Sequence, residues 1–118
     1  MGKLIYDGIE RRQWSRVDMN VPLKFREVGE FSRSPLDSET RDISEGGIRF
    51  ATDKFLPKDS KLVVNMDLND IPVVKATVKV VWSVRDSHTN MYEIGVEFDT
   101  IPSEARVQLS NIVRKNLN

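Results

Sequence analysis

Along most of the chain, apolar and polar residues alternate with the period of two that is typical of half-buried β-strands. The longest such run extends from Val74 to Val84, and Trp82 lies on its apolar face. Shorter runs predict five further strands, through residues 20–26, 39–43, 48–51, 62–68 and 92–98. Antiparallel strands can hide their hydrogen-bonding edges by closing on themselves, so we predict a small six-stranded antiparallel β-barrel.

The last part of the chain has a different period. Pro102 and Ser103 can start a helix, and apolar residues then recur at the i, i+4, i+7 and i+8 spacing of an amphipathic helix that extends to about Asn116. The predicted fold class is therefore mostly β, with a C-terminal α-helix packed on the barrel. Residues 1–19 lack clear periodicity, and we expect them to form an N-terminal arm on a single domain of residues 20–118.

Composition limits the possible functions. The 118 residues suffice for one domain, and 18 basic residues balance 18 acidic ones, so the chain lacks the positive field that attracts long nucleic acids. It has no cysteine and one histidine, His88 in the polar segment DSHTN, which argues against thiol chemistry and a metal site. No apolar run is long enough to cross a bilayer and no signal-peptide core is present, which predicts a cytoplasmic protein without membrane insertion.

Two polar segments carry candidate binding chemistry. RRQWSR, residues 11–16, precedes the first predicted strand, and DISEGG, residues 42–47, forms a turn between the second and third. Arginine has a rigid fork of donors that fits two phosphate oxygens, or O6 and N7 of guanine. Asp42 can accept hydrogen bonds from guanine N1–H and the exocyclic amine, Ser44 can bond to a base edge or a phosphate, and Gly47 lets a flat ligand approach the backbone. Together the two segments are complementary to a guanine nucleotide.

Taken singly, these features have simpler interpretations, because basic termini are commonly solvated and Asp, Ser and Gly are common in turns. Trp82 is either packed on the barrel or a platform for a base. The combination is more specific. RRxxxR before the first strand, followed by DxSxxG between the second and third, resembles the PilZ domain family of bacterial receptors for cyclic di-GMP. The resemblance extends from about Glu10 to Val113 and includes VVW at 80–82 and IGVEF at 94–98.

The PilZ resemblance implies both a site and a function. It implies that cyclic di-GMP binds at the barrel surface, often as an intercalated pair of nucleotides, with no cofactor. The implied nucleotide-binding residues are Arg11, Arg12, Arg16, Asp42, Ser44, Gly47 and Trp82. Arg12 and Arg16 would clamp guanines and phosphates, with Arg11 as an auxiliary. The expected function is that of a receptor or adaptor that couples this second messenger to a downstream protein partner, in motility, biofilm formation or a related output, by ordering its N-terminal arm.

Three other functions remain as alternatives. The main one is a PilZ-like module that acts through protein contacts in motility or pilus assembly without binding a nucleotide, although the complete motifs argue against it. An RNA-binding barrel is disfavoured by the zero net charge. An enzyme is disfavoured by the lack of cysteine and of evidently placed carboxylate pairs, although Ser44 lies near Asp42 in sequence. The loop of residues 28–38, with Phe31 and Leu36, is the expected place for a partner contact.

Overall fold

The computed structural model describes residues 15–31, 34–68 and 71–117. Arg11 and Arg12 of the first motif therefore lie outside the described residues. The described elements are β1 (Val17–Asp18), β2 (Pro22–Glu27), β3 (Leu36–Ile43), β4 (Gly47–Thr52), β5 (Lys61–Leu68), β6 (Ile71–Arg85), β7 (Tyr92–Thr100) and α1 (Ser103–Lys115).

Six of the strands form a closed barrel. Each of β3, β2, β5, β6, β7 and β4 pairs antiparallel with the next, and β4 pairs back with β3. The extra strand β1 lies on β3 beyond the end of β2. The predicted fold class, a six-stranded antiparallel barrel with a C-terminal helix, is confirmed, and the closed ring leaves its outer face as the surface for a ligand.

The barrel interior is filled by the alternating apolar residues that predicted the strands. Phe25 and Phe50 are almost completely buried there, with their ring centroids 5.0 Å apart. Helix α1 adds Ala105, Leu109 and Val113 to the same core, the i, i+4, i+8 stripe of an amphipathic helix. Within the described part of the chain, no helix is long and apolar enough to span a membrane.

A bulge in β6 changes which face of the barrel its last residues occupy. Val80 pairs with Val96 of β7, but Trp82 pairs with Gly95, so one residue of β6 has no counterpart in β7. Because such an insertion reverses the alternation of side chains, Trp82 points outward and Val84 is 56% exposed. The period of two assigned both residues to the apolar face of β6, and this is wrong for Val84 because the pattern assumed unbroken pairing. For Trp82 the outward position agrees with the alternative of a platform for a base, which stays a prediction.

Residues 17–19, which we expected within the arm, are integrated into the barrel edge. Val17 pairs with Ile43, and both side chains are buried in the core. The Met19 N–H donates to the Arg41 carbonyl oxygen at 3.1 Å, which continues the pairing beyond β1. A two-residue strand is too short to produce a recognisable period, which explains why the sequence did not indicate it.

The junction between β1 and β2 is held by the buried side chain of Thr40. Its hydroxyl donates to the Met19 carbonyl oxygen at 2.6 Å and accepts from the Val21 N–H at 2.8 Å. Thr40→Val keeps the shape but leaves both backbone groups without this partner, so we expect the free energy of unfolding to fall by about 2 kcal/mol. Urea denaturation would measure the change. The same substitution at the exposed Thr100 should have almost no effect, and equal losses would contradict the role of the hydroxyl bridge.

Candidate functional site

The two sequence motifs meet on the outer face of the barrel. Arg16, the last arginine of RRQWSR, donates from Nη1 to Oδ1 of Asp42, the first residue of DISEGG, at 2.8 Å. Pairing of Asp18 with Asp42 brings the end of the arm to this point on β3. The Asp42 side chain is 7% exposed and that of Arg16 is 45% exposed, so the carboxylate is fixed in the wall while the guanidinium lies at its surface.

Arg49 on β4 holds the other side of the same carboxylate. Its Nε donates to Oδ2 of Asp42 at 2.8 Å, and its Nη1 donates to Oε1 of Glu93 on β7 at 2.9 Å. Arg41 approaches the other oxygen of Glu93, at 3.8 Å. We call these five residues, Arg16, Asp42, Arg49, Glu93 and Arg41, the charged row. Three cations alternate with two anions along it, which leaves one positive charge in excess.

The surroundings of Arg49 favour the charged form of its guanidinium further. Burial disfavours the cation, but hydrogen bonds and electrostatic attraction from Asp42, together with those from Glu93, outweigh this effect and raise the pKa of Arg49 above its ordinary value. A side chain that is always cationic and is held by two carboxylates has a defined orientation. Arg49 is therefore a fixed part of the wall and a permanent hydrogen-bond donor.

Strand register places Trp82 beside the charged row. Across the outer face, consecutive strands pair Asp42 with Arg49, Arg49 with Gly95, and Gly95 with Trp82. The Trp82 indole covers Gly95, because a Cβ built on Gly95 would overlap the ring. The reversal of β6 at its bulge thus brings an aromatic surface to the same wall as the charges.

Ser44 and Gly47 shape the turn between β3 and β4. The Ser44 hydroxyl accepts from the N–H groups of Gly46 and Gly47, both at 3.1 Å, and the Ser44 N–H donates to the Gly47 carbonyl oxygen at 2.9 Å. A Cβ on Gly47 would collide with the carbonyl oxygen of Val96 in β7. The observed contacts of both residues are thus with other parts of the protein, within the turn and with the backbone of β7. Their contact with a nucleotide stays a prediction.

Two contacts join this turn to the elements that follow it. Arg106 of α1 donates from Nη1 to the Glu45 carbonyl oxygen at 3.0 Å. The Phe98 N–H donates to the Gly46 carbonyl oxygen at 2.9 Å. The helix and β7 therefore hold the turn against the barrel.

Replacement of Arg106 by Met should loosen the turn without unfolding the barrel. Loss of a single hydrogen bond of this kind corresponds to about 1 kcal/mol of local stability, so amide exchange at Gly46 and Gly47 should accelerate by about fivefold. Hydrogen exchange followed by NMR would measure it. Arg114→Met, at an exposed position on α1, is the matched control and should leave these amides unchanged. Equal acceleration in both variants would mean that Arg106 does not hold the turn.

The structure brings the described members of the predicted site to one region of the barrel surface. Arg16 and Asp42 are in contact, Ser44 and Gly47 form the adjoining turn, and Trp82 lies beyond Arg49 on the same face. The sequence did not indicate the remaining members of the charged row, nor Arg106. The sequence could have indicated the outward direction of Arg49, because this residue lies between Ile48 and Phe50, which are both buried. Its partners could not be predicted, because they depend on strand register, which the alternation of apolar and polar residues does not specify.

Solved structures with this fold come from several bacteria. Bacillus subtilis MotI/DgrA, named an inhibitor of motility, is 18% identical with a TM-score of 0.75, over 92% of this chain and 52% of MotI. The K. pneumonia MrkH complex with c-di-GMP is 16% identical with a TM-score of 0.64, over 87% of this chain and 51% of MrkH. The Escherichia coli YcgR PilZ domain with c-di-GMP is 14% identical with a TM-score of 0.63, over 90% of this chain and 91% of that domain.

The chain therefore spans about half the length of MotI and MrkH and nearly all of the YcgR domain. No curated protein sequence matches it significantly. The PilZ domain profile matches residues 10–115, which include both motifs, α1 and all the strands of the described residues. The chain belongs to the PilZ domain family.

Proposed function

We propose that this PilZ domain is a receptor for cyclic di-GMP that transmits binding to a protein partner. The observation that carries the proposal is the 2.8 Å contact between Arg16 and Asp42, because it joins RRQWSR and DISEGG into one surface. That surface has an excess of positive charge and an aromatic side chain, Trp82, on the same face. These are the groups needed to hold the phosphates and bases of an anionic guanine nucleotide.

Binding would exchange partners around Asp42. Each of its carboxylate oxygens already accepts from an arginine, Oδ1 from Arg16 and Oδ2 from Arg49. A guanine that donates N1–H and its exocyclic amine to Asp42 would displace Arg16, whose pairing is partly exposed to water and therefore weak. The released Arg16 would then bind a phosphate or the base, while Arg49 would keep the carboxylate oriented.

The proposed ordering of the arm concerns the residues that precede Ser15. Val17 is already buried and Arg16 already contacts the barrel, so the ligand has little to order at these positions. Arg12, and Arg11 as an auxiliary, would close over the nucleotide and fix the preceding chain against the wall. A ligand shifts the equilibrium between the open and closed forms of the arm only through its higher affinity for the closed form. Arg12 would therefore contribute both to the affinity for the nucleotide and to the closed surface that a partner protein binds.

Calorimetric titration with cyclic di-GMP, beside GTP and cyclic GMP, tests the proposal. We expect selective binding of cyclic di-GMP, with two nucleotides per chain if they intercalate. Arg12→Ala should abolish it, and Arg85→Ala, an exposed arginine of β6 after the bulge, should bind normally. The absence of both heat and competition at any practical concentration would overturn the proposal, as would unchanged binding by Arg12→Ala.

The alternative, a module that acts only through protein contacts, is favoured by one observation. Val28 and Phe31, after β2, are 54% and 79% exposed, and Phe55 is 54% exposed. Exposed apolar side chains of this size are common at interfaces. If titration shows no nucleotide binding, Phe31→Ser would test this function by its effect on partner capture. Phe31 also packs on Arg26, with the guanidinium carbon 5.0 Å from the ring centroid, so folding must be checked in parallel.

A further inference from the structure

Arg49 is the most firmly held arginine of the charged row, and it belongs to neither motif. Asp42 fixes its Nε and Glu93 fixes its Nη1, through hydrogen bonds of 2.8 and 2.9 Å. These bonds use two of its five N–H donors, and the side chain remains 35% exposed. An arginine that is fixed in orientation yet open to solvent can bind a ligand with little further loss of side-chain entropy.

The charges next to Arg49 favour a neutral acceptor over a phosphate. Its guanidinium lies between the carboxylates of Asp42 and Glu93, so this part of the row carries one positive and two negative charges. Both carboxylates would repel a phosphate placed there, whereas Arg16 and Arg41 at the ends of the row would attract one. Guanine presents O6 and N7 as uncharged acceptors at the spacing of an arginine fork.

The surface beside Arg49 suits a flat base. Gly95 pairs with Arg49 on one side and with Trp82 on the other, so the Cα atoms of Arg49 and Trp82 are two strand spacings apart, about 10 Å. Because Gly95 has no side chain, no side chain from β7 separates Arg49 from Trp82 at this level, and the Trp82 indole lies over the Gly95 backbone. A purine stacked on the indole would have one edge directed toward the guanidinium.

We infer that Arg49 and Trp82 form a guanine subsite on the barrel wall, in which Trp82 stacks on the base and Arg49 donates to O6 and N7. The inference rests on the proposed binding of cyclic di-GMP and adds a specificity-determining residue outside both motifs. Glu93 is a positioning residue in this arrangement, because it acts on the base only through Arg49.

The test combines two proteins with two ligands. The ligands are cyclic di-GMP and its 7-deaza analogue, in which C–H replaces N7, and the proteins are the unmodified chain and Arg49→Met. Arg49→Met should weaken binding of cyclic di-GMP by about tenfold or more. Loss of N7 should weaken binding to the unmodified chain by several-fold and should cost Arg49→Met less, since the two changes remove the same hydrogen bond. Arg114→Met, on α1, should behave like the unmodified chain.

A second substitution separates the donor fork from simple charge. Arg49→Lys keeps the cation but cannot donate in parallel to O6 and N7, so it should lose about as much affinity as Arg49→Met. It also provides the ligand comparison if the Met variant does not fold. Three results would each overturn the inference. The first is an equal loss of affinity for the 7-deaza analogue in both proteins. The others are normal binding of cyclic di-GMP by Arg49→Met, and binding by Arg49→Lys as tight as that of the unmodified chain. Failure of the unmodified chain to bind cyclic di-GMP would remove the proposed function as well.

Discussion

Gly47→Ala should be among the most destabilising single-methyl additions to this barrel, lowering the free energy of unfolding by about 3 kcal/mol or more. The added Cβ would overlap the Val96 carbonyl oxygen and lie 3.0 Å from the Glu97 Cα, and both atoms belong to the β7 backbone. Backbone cannot move aside as a side-chain tip can, so β4 and β7 would have to separate. Because β4 closes the ring between β3 and β7, the damage should extend through the barrel.

Gly29→Ala is the matched control, since it adds the same methyl group where nothing lies within 4 Å. Its cost should be limited to the left-handed backbone at φ 94°, about 1 to 2 kcal/mol. Urea denaturation of both variants measures the difference, and NMR chemical shifts of β4 and β7 locate it. If Gly47→Ala were no less stable than Gly29→Ala, the strands would have room for the methyl group, and strand packing would not explain the glycine.

The sequence predicted the barrel well because the barrel depends on local alternation. Each interior position alternates with an exterior one along its own strand, so the pattern needs no knowledge of the neighbouring strands. The helix was predicted for the same reason, since Ala105, Leu109 and Val113 mark its buried stripe without reference to the barrel. The exception, Trp82, follows a bulge that exists only because β6 and β7 pair out of step, and a strand's own pattern contains no sign of such a mismatch.

The candidate site was less accessible from sequence because it is assembled across strands. RRQWSR and DISEGG were found as segments, and the contact between Arg16 and Asp42 follows from the pairing of β1 with β3, a two-residue strand without a readable period. Ligand access to the backbone at Gly47 stays a prediction, and the packing of this glycine against Val96 of β7 is an additional role that the sequence did not indicate. Arg49 and Glu93 are 44 residues apart, and only the register of β4 with β7 makes them partners.

Asp42→Ala is expected to abolish most of the binding of cyclic di-GMP and to weaken the fold at once. The carboxylate would no longer accept from guanine, and loss of two charge-assisted hydrogen bonds corresponds to an affinity decrease of about a hundredfold or more. In the free protein, Arg16 and Arg49 would each lose a hydrogen bond of 2.8 Å. Since both arginines are partly exposed to water, we expect the free energy of unfolding to fall by only about 2 kcal/mol.

Asp42→Asn separates these two effects, because the amide preserves the shape and one acceptor oxygen but places an NH₂ group against Arg49 or the guanine amine. Its stability should lie between those of the parent and Asp42→Ala, whereas its affinity should remain close to that of Asp42→Ala, since guanine needs two acceptors there. Asp37→Ala is the control, because Asp37 pairs with Lys24 on the exposed side of β3 and should affect neither quantity appreciably. Titration calorimetry and urea denaturation of the three variants give both quantities. If Asp42→Ala bound cyclic di-GMP as tightly as the parent, the nucleotide would bind elsewhere on the barrel. Among the described residues, Asp42 is the only carboxylate that contacts both Arg16 and Arg49, so binding centred on the charged row requires it.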